Sequence, residues 1–141
     1  MTARRDPAGG EDLIDGCTRA EALADGILIA VPPGMAANAG FRCPVALSRQ
    51  AWDDCVAWDA TDNTRKGTVQ DQDGRLWDVA WMAGRELDRI RPDGPGPVPF
   101  TVYRVPRDGM TTQPLPTALI AWPSPGDDGE PVITITRPEE D

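Results

Sequence analysis

The side chains of this chain whose types suit chemistry are carboxylates, arginines and tryptophans. Histidine is absent. That excludes an imidazole general base, Ser-His and Cys-His pairs, and His-ligated zinc. Carboxylate and arginine chemistry stays open. Asp127, Asp128 and Glu130 stand together and could hold Mg2+ or work as an acid/base pair. Asp-Gly in a hairpin turn explains the same residues without chemistry. Asp53, Asp54, Asp59 and Asp62 make a second acidic group. Neighbouring positions on a helix point apart, so Asp53 and Asp54 do not converge on one site. A solvated face is the ordinary reading, and a negative surface for a basic partner is the functional one. Asp71-Gln72-Asp73-Gly74 hints at a calcium loop. With Gly74 sixth in an EF-hand, Val69 falls first and Ala80 twelfth, and neither offers an oxygen ligand, so a polar turn is expected.

Arg42, Arg85, Arg89 and Arg91 suit a phosphate. Scattered arginines are more often surface ion pairs. No Gly-rich phosphate loop accompanies them, because Gly94-Pro95-Gly96 opens no helix. Cys17, Cys43 and Cys55 form no CxxC, so they read as free thiols and not as a zinc site. No metal and no cofactor is expected. The five tryptophans are Trp52, Trp58, Trp77, Trp81 and Trp122. Most should be core, since each brings a large apolar area. Trp77 and Trp81, an i, i+4 pair, are the choice for an interface anchor. The candidate partner-binding residues are therefore Asp53, Asp54, Asp59, Trp77, Trp81, Asp127 and Asp128.

The elements that position these residues follow from local patterns. Thr18-x-x-Glu21 is a capping box ahead of a short helix that Gly26 ends. Ile27 to Val31 reads as a buried strand, Met35 to Ala39 as a helical turn, and Pro44 to Leu47 as a second extended piece. Ser48 caps a helix predicted from about Arg49 to Trp58, with Trp52, Cys55 and Val56 near one face. Residues 59–74 are polar, and Asp73-Gly74 marks a turn. Arg75 to Ile90 carries a helical stripe of Leu76, Val79, Met82, Leu87 and Ile90, with Asp73 a candidate cap and Gly84 a weak point of about 1 kcal/mol. A Pro/Gly linker spans 92–99. Strands are predicted at 100–105, 117–122 and 131–136, forming an antiparallel meander.

Helices in the first part and strands in the last give an α+β fold: a small antiparallel sheet of three to four strands with two to three helices on one face. The organisation reads as a disordered lead-in at 1–15, one domain at 16–137 and an acidic tail at 138–141. A length of 141 residues suits one domain, and folding should bury roughly 68% of the unfolded chain's surface. The balance of 14 positive against 23 negative residues gives net −9. Such a surface disfavours direct nucleic-acid binding and suits a basic partner. Lys66 is the single lysine, and the many arginines read as the coding bias of a GC-rich genome. No apolar run reaches the ~20 residues of a membrane span, and no secretory signal is apparent, so a cytoplasmic location is expected.

Several stretches together resemble a known family. They are Thr18-Arg19-Ala20-x-Ala22-x-x-Asp25-Gly26, then Phe41-x-x-Pro44-Val45-Ala46-Leu47, then Trp52-x-Asp54-Cys55. The most specific is Gly74-Arg75-Leu76-Trp77-Asp78-Val79-x-Trp81-Met82, and Gly126 to Ile135 is similar to the closing hairpin. The family is a domain of unknown function encoded on bacterial plasmids, prophages and integrative elements. The resemblance implies a mobile-element context and carries over no catalytic residue. In that context a small acidic protein is expected to be a non-enzymatic inhibitor of a host defence system, of anti-CRISPR or antirestriction type. It would bind a host protein or complex by charge complementarity, in one version as a nucleic-acid mimic. The alternatives are an enzyme or small-ligand protein using Arg42, Asp78, Asp127, Asp128 and Glu130, and an accessory or regulatory protein of a plasmid or phage.

Overall fold

The computed structural model describes residues 18–90 and 96–140. The lead-in at 1–15, Cys17, Arg91, residues 92–95 of the linker and Asp141 lie outside the described residues, as do the side chains of Arg89 and Ile90.

Local signals act as their chemistry dictates. Thr18 caps α1 (Arg19–Ala24): its hydroxyl accepts from Glu21 N at 3.0 Å, and Glu21 Oε1 accepts from Thr18 N at 3.0 Å. Gly26, at φ 78°, turns the chain into β1 (Leu28–Ala30). Pro33 opens α2 (Pro33–Asn38). Ser48 ends β2 (Val45–Ser48) and caps α3 (Arg49–Cys55), its hydroxyl accepting from Ala51 N at 3.1 Å. The predicted run to Trp58 stops at Cys55, because Asp59 must be extended (φ −142°, ψ −178°) to cap the next helix.

That next helix lies in the polar run 59–74, and Asp73-Gly74, expected as a turn, falls in the first turn of the helix after it. α4 (Ala60–Lys66) starts at a capping box in which Asp62 replaces the usual Glu or Gln, and ends at Gly67 with φ 65°. Then comes α5 (Gln72–Ile90). Its cap is Asp71 and not Asp73: Asp71 Oδ1 accepts from Gly74 N at 2.6 Å.

The strands form one five-stranded sheet of order β1-β2-β5-β4-β3, completed by β3 (Val98–Arg104), β4 (Leu115–Pro125) and β5 (Pro131–Thr136). The expected meander β3-β4-β5 is present. The sheet is mixed, however, and larger than predicted. β2 runs parallel to β5, with Val45 opposite Ile133 and Leu47 opposite Ile135. Both strands are buried on both faces, which is what a central strand pair requires.

The helices also do not keep to one face. Val45, Leu47, Ile133, Ile135, Leu119 and Phe100 pack with α3 and α5. On the opposite face Leu28 and Ala46 pack under Ala22 and Leu23 of α1. Five α-helices stand among the described residues. The acidic tail is docked through Glu140, whose Oε2 accepts from Ser48 Oγ at 2.6 Å and from Arg137 N at 2.7 Å.

Gly84 has a packing role. A Cβ there would stand 2.4 Å from the Ala39 carbonyl at the end of α2. Gly84→Ala should therefore destabilise by about 1–2 kcal/mol net, the clash outweighing the helix preference of Ala. Gly34→Ala, in open space on α2, should be neutral or stabilising by up to ~1 kcal/mol. Urea melts of both variants check the contrast.

Candidate functional site

Most of the predicted acidic residues have work inside the molecule. Asp127 accepts from Arg19 N at 2.8 Å and Ala20 N at 3.0 Å, so the β4–β5 turn caps α1. The backbone N–H of Asp128 donates to Glu130 Oε1 at 3.0 Å. Asp54 binds Arg137 at 2.7 Å. Asp59 pairs with Arg107 at 3.1 Å, and Asp53 is 3.6 Å from Arg49 with its side chain 57% exposed. Of these, Asp53 and Asp128 are the least engaged. Asp127 and Asp128 sit at the β4–β5 turn, whereas Asp53, Asp54 and Asp59 sit on α3 and at the start of α4.

The tryptophans separate into two sets. Trp58 is buried, and its Nε1 donates to Asn63 Oδ1 at 2.9 Å. Trp52 is half-buried against the core, and Trp122 is half-buried with Nε1 donating to Thr136 Oγ1 at 3.0 Å. Trp77 and Trp81 differ. Their rings stack on α5 with centroids 6.0 Å apart and planes 21° apart. Trp81 is 42% exposed. The Arg85 guanidinium lies 5.7 Å from the Trp81 centroid. Asp73 and Asp88 are exposed on the same helix. The outer face of α5 thus carries two indoles, the Arg85 guanidinium and two carboxylates.

Beside this face a pocket of about 360 Å3 opens between α5, the residues before it and the end of β3. Gln70, Asp71 and Val69 border it on one side, Trp77 and Asp78 on another, and Tyr103 and Arg104 on a third. Arg75 stands behind it, only 6% exposed. Its Nε donates to Val56 O at 3.1 Å, and Nη1 donates to Val105 O at 3.1 Å and Gln70 Oε1 at 2.9 Å. The guanidinium stacks 4.4 Å from the Trp58 centroid. Arg75 Nη2 and Arg104 Nε are buried without an acceptor.

Burial pushes the Arg75 guanidinium down to about 10, and the positive charge of Arg104 adds to this. It stays protonated at neutral pH. Burial raises the Asp78 carboxyl, with Arg75 opposing. Burial also raises the Cys55 thiol, with Arg104 opposing, which favours its neutral form. Of the residues proposed for an enzymatic site, Asp78 alone borders this pocket; Arg42, Asp127, Asp128 and Glu130 do not.

A family model described as "Family of unknown function (DUF6573)" matches residues 8–141. The chain belongs to this family. No curated protein and no solved structure matches it significantly. No helix among the described residues is long and apolar enough to cross a membrane.

Arg75, Arg104, Tyr103 and Val69 were not legible as site residues. Arg75 did leave a signal: it shares an i, i+4 ladder with Val79, Ala83 and Leu87, so a charge falls on the core face. Tyr103, 69% exposed, is on the outward phase of the alternating strand β3, whereas Val69, 99% exposed, lies where no period reveals it.

The segment after β3 is held by α4. Lys66, 5% exposed, donates to the carbonyls of Asp108 at 3.2 Å, Gly109 at 3.1 Å and Thr111 at 2.5 Å. Arg65 donates to Arg107 O. Asp62 accepts from Asp59 N at 2.9 Å, Arg65 at 3.0 Å and Arg107 at 2.8 Å. Burial works to raise the Asp62 carboxyl, but these donors prevail and hold it below the usual carboxylate range. A depressed carboxyl contributes stability above its unfolded value near 3.9 and loses it as pH falls through the lower folded value. Asp62→Asn should cost about 1–3 kcal/mol at pH 7. Its stability should also fall less steeply than the parent's between roughly pH 4 and the acid limit. Urea midpoints from pH 7 downward measure both effects.

Proposed function

We propose that this protein is a non-enzymatic binding protein that docks onto a basic surface of a host protein or complex through the outer face of α5. In the mobile-element setting its sequence resembles, that partner is a defence complex of the CRISPR or restriction type. The observation that carries the docking reading is the stacked Trp77–Trp81 pair, left in contact with water on a helix whose other side is core. Tryptophan and arginine are the commonest interface hot spots. Indole faces flanked by Asp73 and Asp88 suit incoming lysine or arginine side chains. Net −9 supplies long-range steering toward such a surface. The nucleic-acid-mimic version has less support, because Asp54, Asp59 and Asp127 spend their charge on internal partners.

The test is retrieval of the tagged full chain from nuclease-treated host lysate, followed by titration calorimetry with the recovered complex. Trp81→Ala should weaken binding by about thirtyfold or more. Asp73→Lys with Asp88→Lys should weaken it further at low salt, and the parent's affinity should fall as salt rises. Binding that ignores all three changes, with near-UV circular dichroism unchanged, rejects docking through α5.

A further inference from the structure

We propose that the pocket between α5 and the end of β3 is a binding site for a small ligand carrying one anionic group, phosphate or carboxylate, on a flat or apolar body. The pocket's volume of about 360 Å3 falls in the lower part of the range for small-molecule sites, about 300–1,000 Å3. Two guanidiniums supply the positive charge. Arg75 is 94% buried by its 6% exposure and fixed by Val56, Gln70 and Val105. Arg104, at the last position of β3, is half-buried and borders the pocket directly.

Each of these arginines has a buried N–H with no oxygen acceptor, Arg75 Nη2 and Arg104 Nε, the Arg104 side chain having the Cys55 thiol as a weak partner. Buried donors are ordinarily satisfied, and two orphaned ones behind one pocket call for an acceptor from it. Both nitrogens are shielded from solvent. Arg75 cannot move without losing its three partners, whereas Arg104 sits where the strand ends. A small rotation of Arg104 therefore delivers its N–H groups to a ligand, while Arg75 acts as a fixed charge behind it. Burial is the main reason the Arg75 guanidinium is lowered, and repulsion from the Arg104 cation adds to it.

The remaining walls define the rest of the ligand. Trp77 and Tyr103 offer flat surfaces and Val69 an apolar edge. Asp71 and Asp78 border the same space and would repel a second negative group. One anionic head and an uncharged body satisfy both constraints. The pocket shares Trp77 with the docking face, and Arg104 and Val69, which are not on α5, tell the two sites apart.

The experiment is a two-dimensional nitrogen–proton NMR titration of the full chain. The probes are inorganic phosphate, adenosine 5′-monophosphate and indole-3-acetate. Saturable shifts confined to 69–78 and 102–104, including the Trp77 indole N–H, are expected for at least one organic probe. The phosphate and carboxylate arms distinguish the two head groups. Arg104→Gln should weaken that binding at least about tenfold. Val69→Asp, at a position 99% exposed and so safe for folding, should also weaken it by placing a like charge at the edge. No saturable shift with any probe overturns the proposal. So do shifts spread over surface arginines, or affinities that both variants leave within about twofold. Should Arg104→Gln fail to fold, Val69→Asp decides.

Discussion

Arg75 carries a charge into a place where water does not hydrate it, and the chain around it is arranged to supply the missing acceptors. Val56 lies between α3 and α4, Gln70 lies before α5, and Val105 lies just past β3. One guanidinium draws all three together and lays its face on Trp58. A buried arginine left without partners costs several kcal/mol. These segments are therefore not free to drift independently. The pocket, the start of α5 and the end of β3 keep their relative positions because they share this group.

α5 shows how one helix serves three surroundings. Leu76, Val79, Ala83 and Leu87 enter the core. Trp77 and Asp78 turn to the pocket. Trp81 and Arg85 face outward. Trp77 borders the pocket while stacking on Trp81 one turn on, so these two sets adjoin, and the 3.6-residue period keeps both off the core face. Gly84 lets the same helix come against the end of α2, so the missing side chain is a contact surface and not merely a weak point.

The elements with strong local chemistry were legible: the Thr18–Glu21 capping box, the Ser48 cap, the Leu76-to-Leu87 stripe and the three β-rich runs of the last third. α4 was not. Ala60 to Lys66 has no apolar stripe, and its capping box uses Asp62 where the signature expects a longer side chain. The parallel pairing of β2 with β5 was hidden for another reason. Strand periodicity reports which face is buried, not which strand lies alongside. The run Val45-Ala46-Leu47, apolar on both faces, was the available hint of a central strand. In the candidate site, Trp77, Trp81 and Asp78 were named from spacing and type. Arg75 and Arg104 were not singled out among the arginines, because a buried guanidinium is recognised by the carbonyls that converge on it, and those come from distant segments.

Asp127 caps α1 across a separation of more than a hundred residues. An isolated helix of six residues is far below the ~12–15 residues that are marginal in water. α1 also reaches β5 through Arg19, which donates to Thr134 Oγ1 at 2.7 Å. The earliest-made helix of this segment thus depends on the latest-made strand. During synthesis α1 lacks its Asp127 and Thr134 partners until the last third has been made. Contacts of such long separation slow folding, and these tie α1 to β5 and the β4–β5 turn.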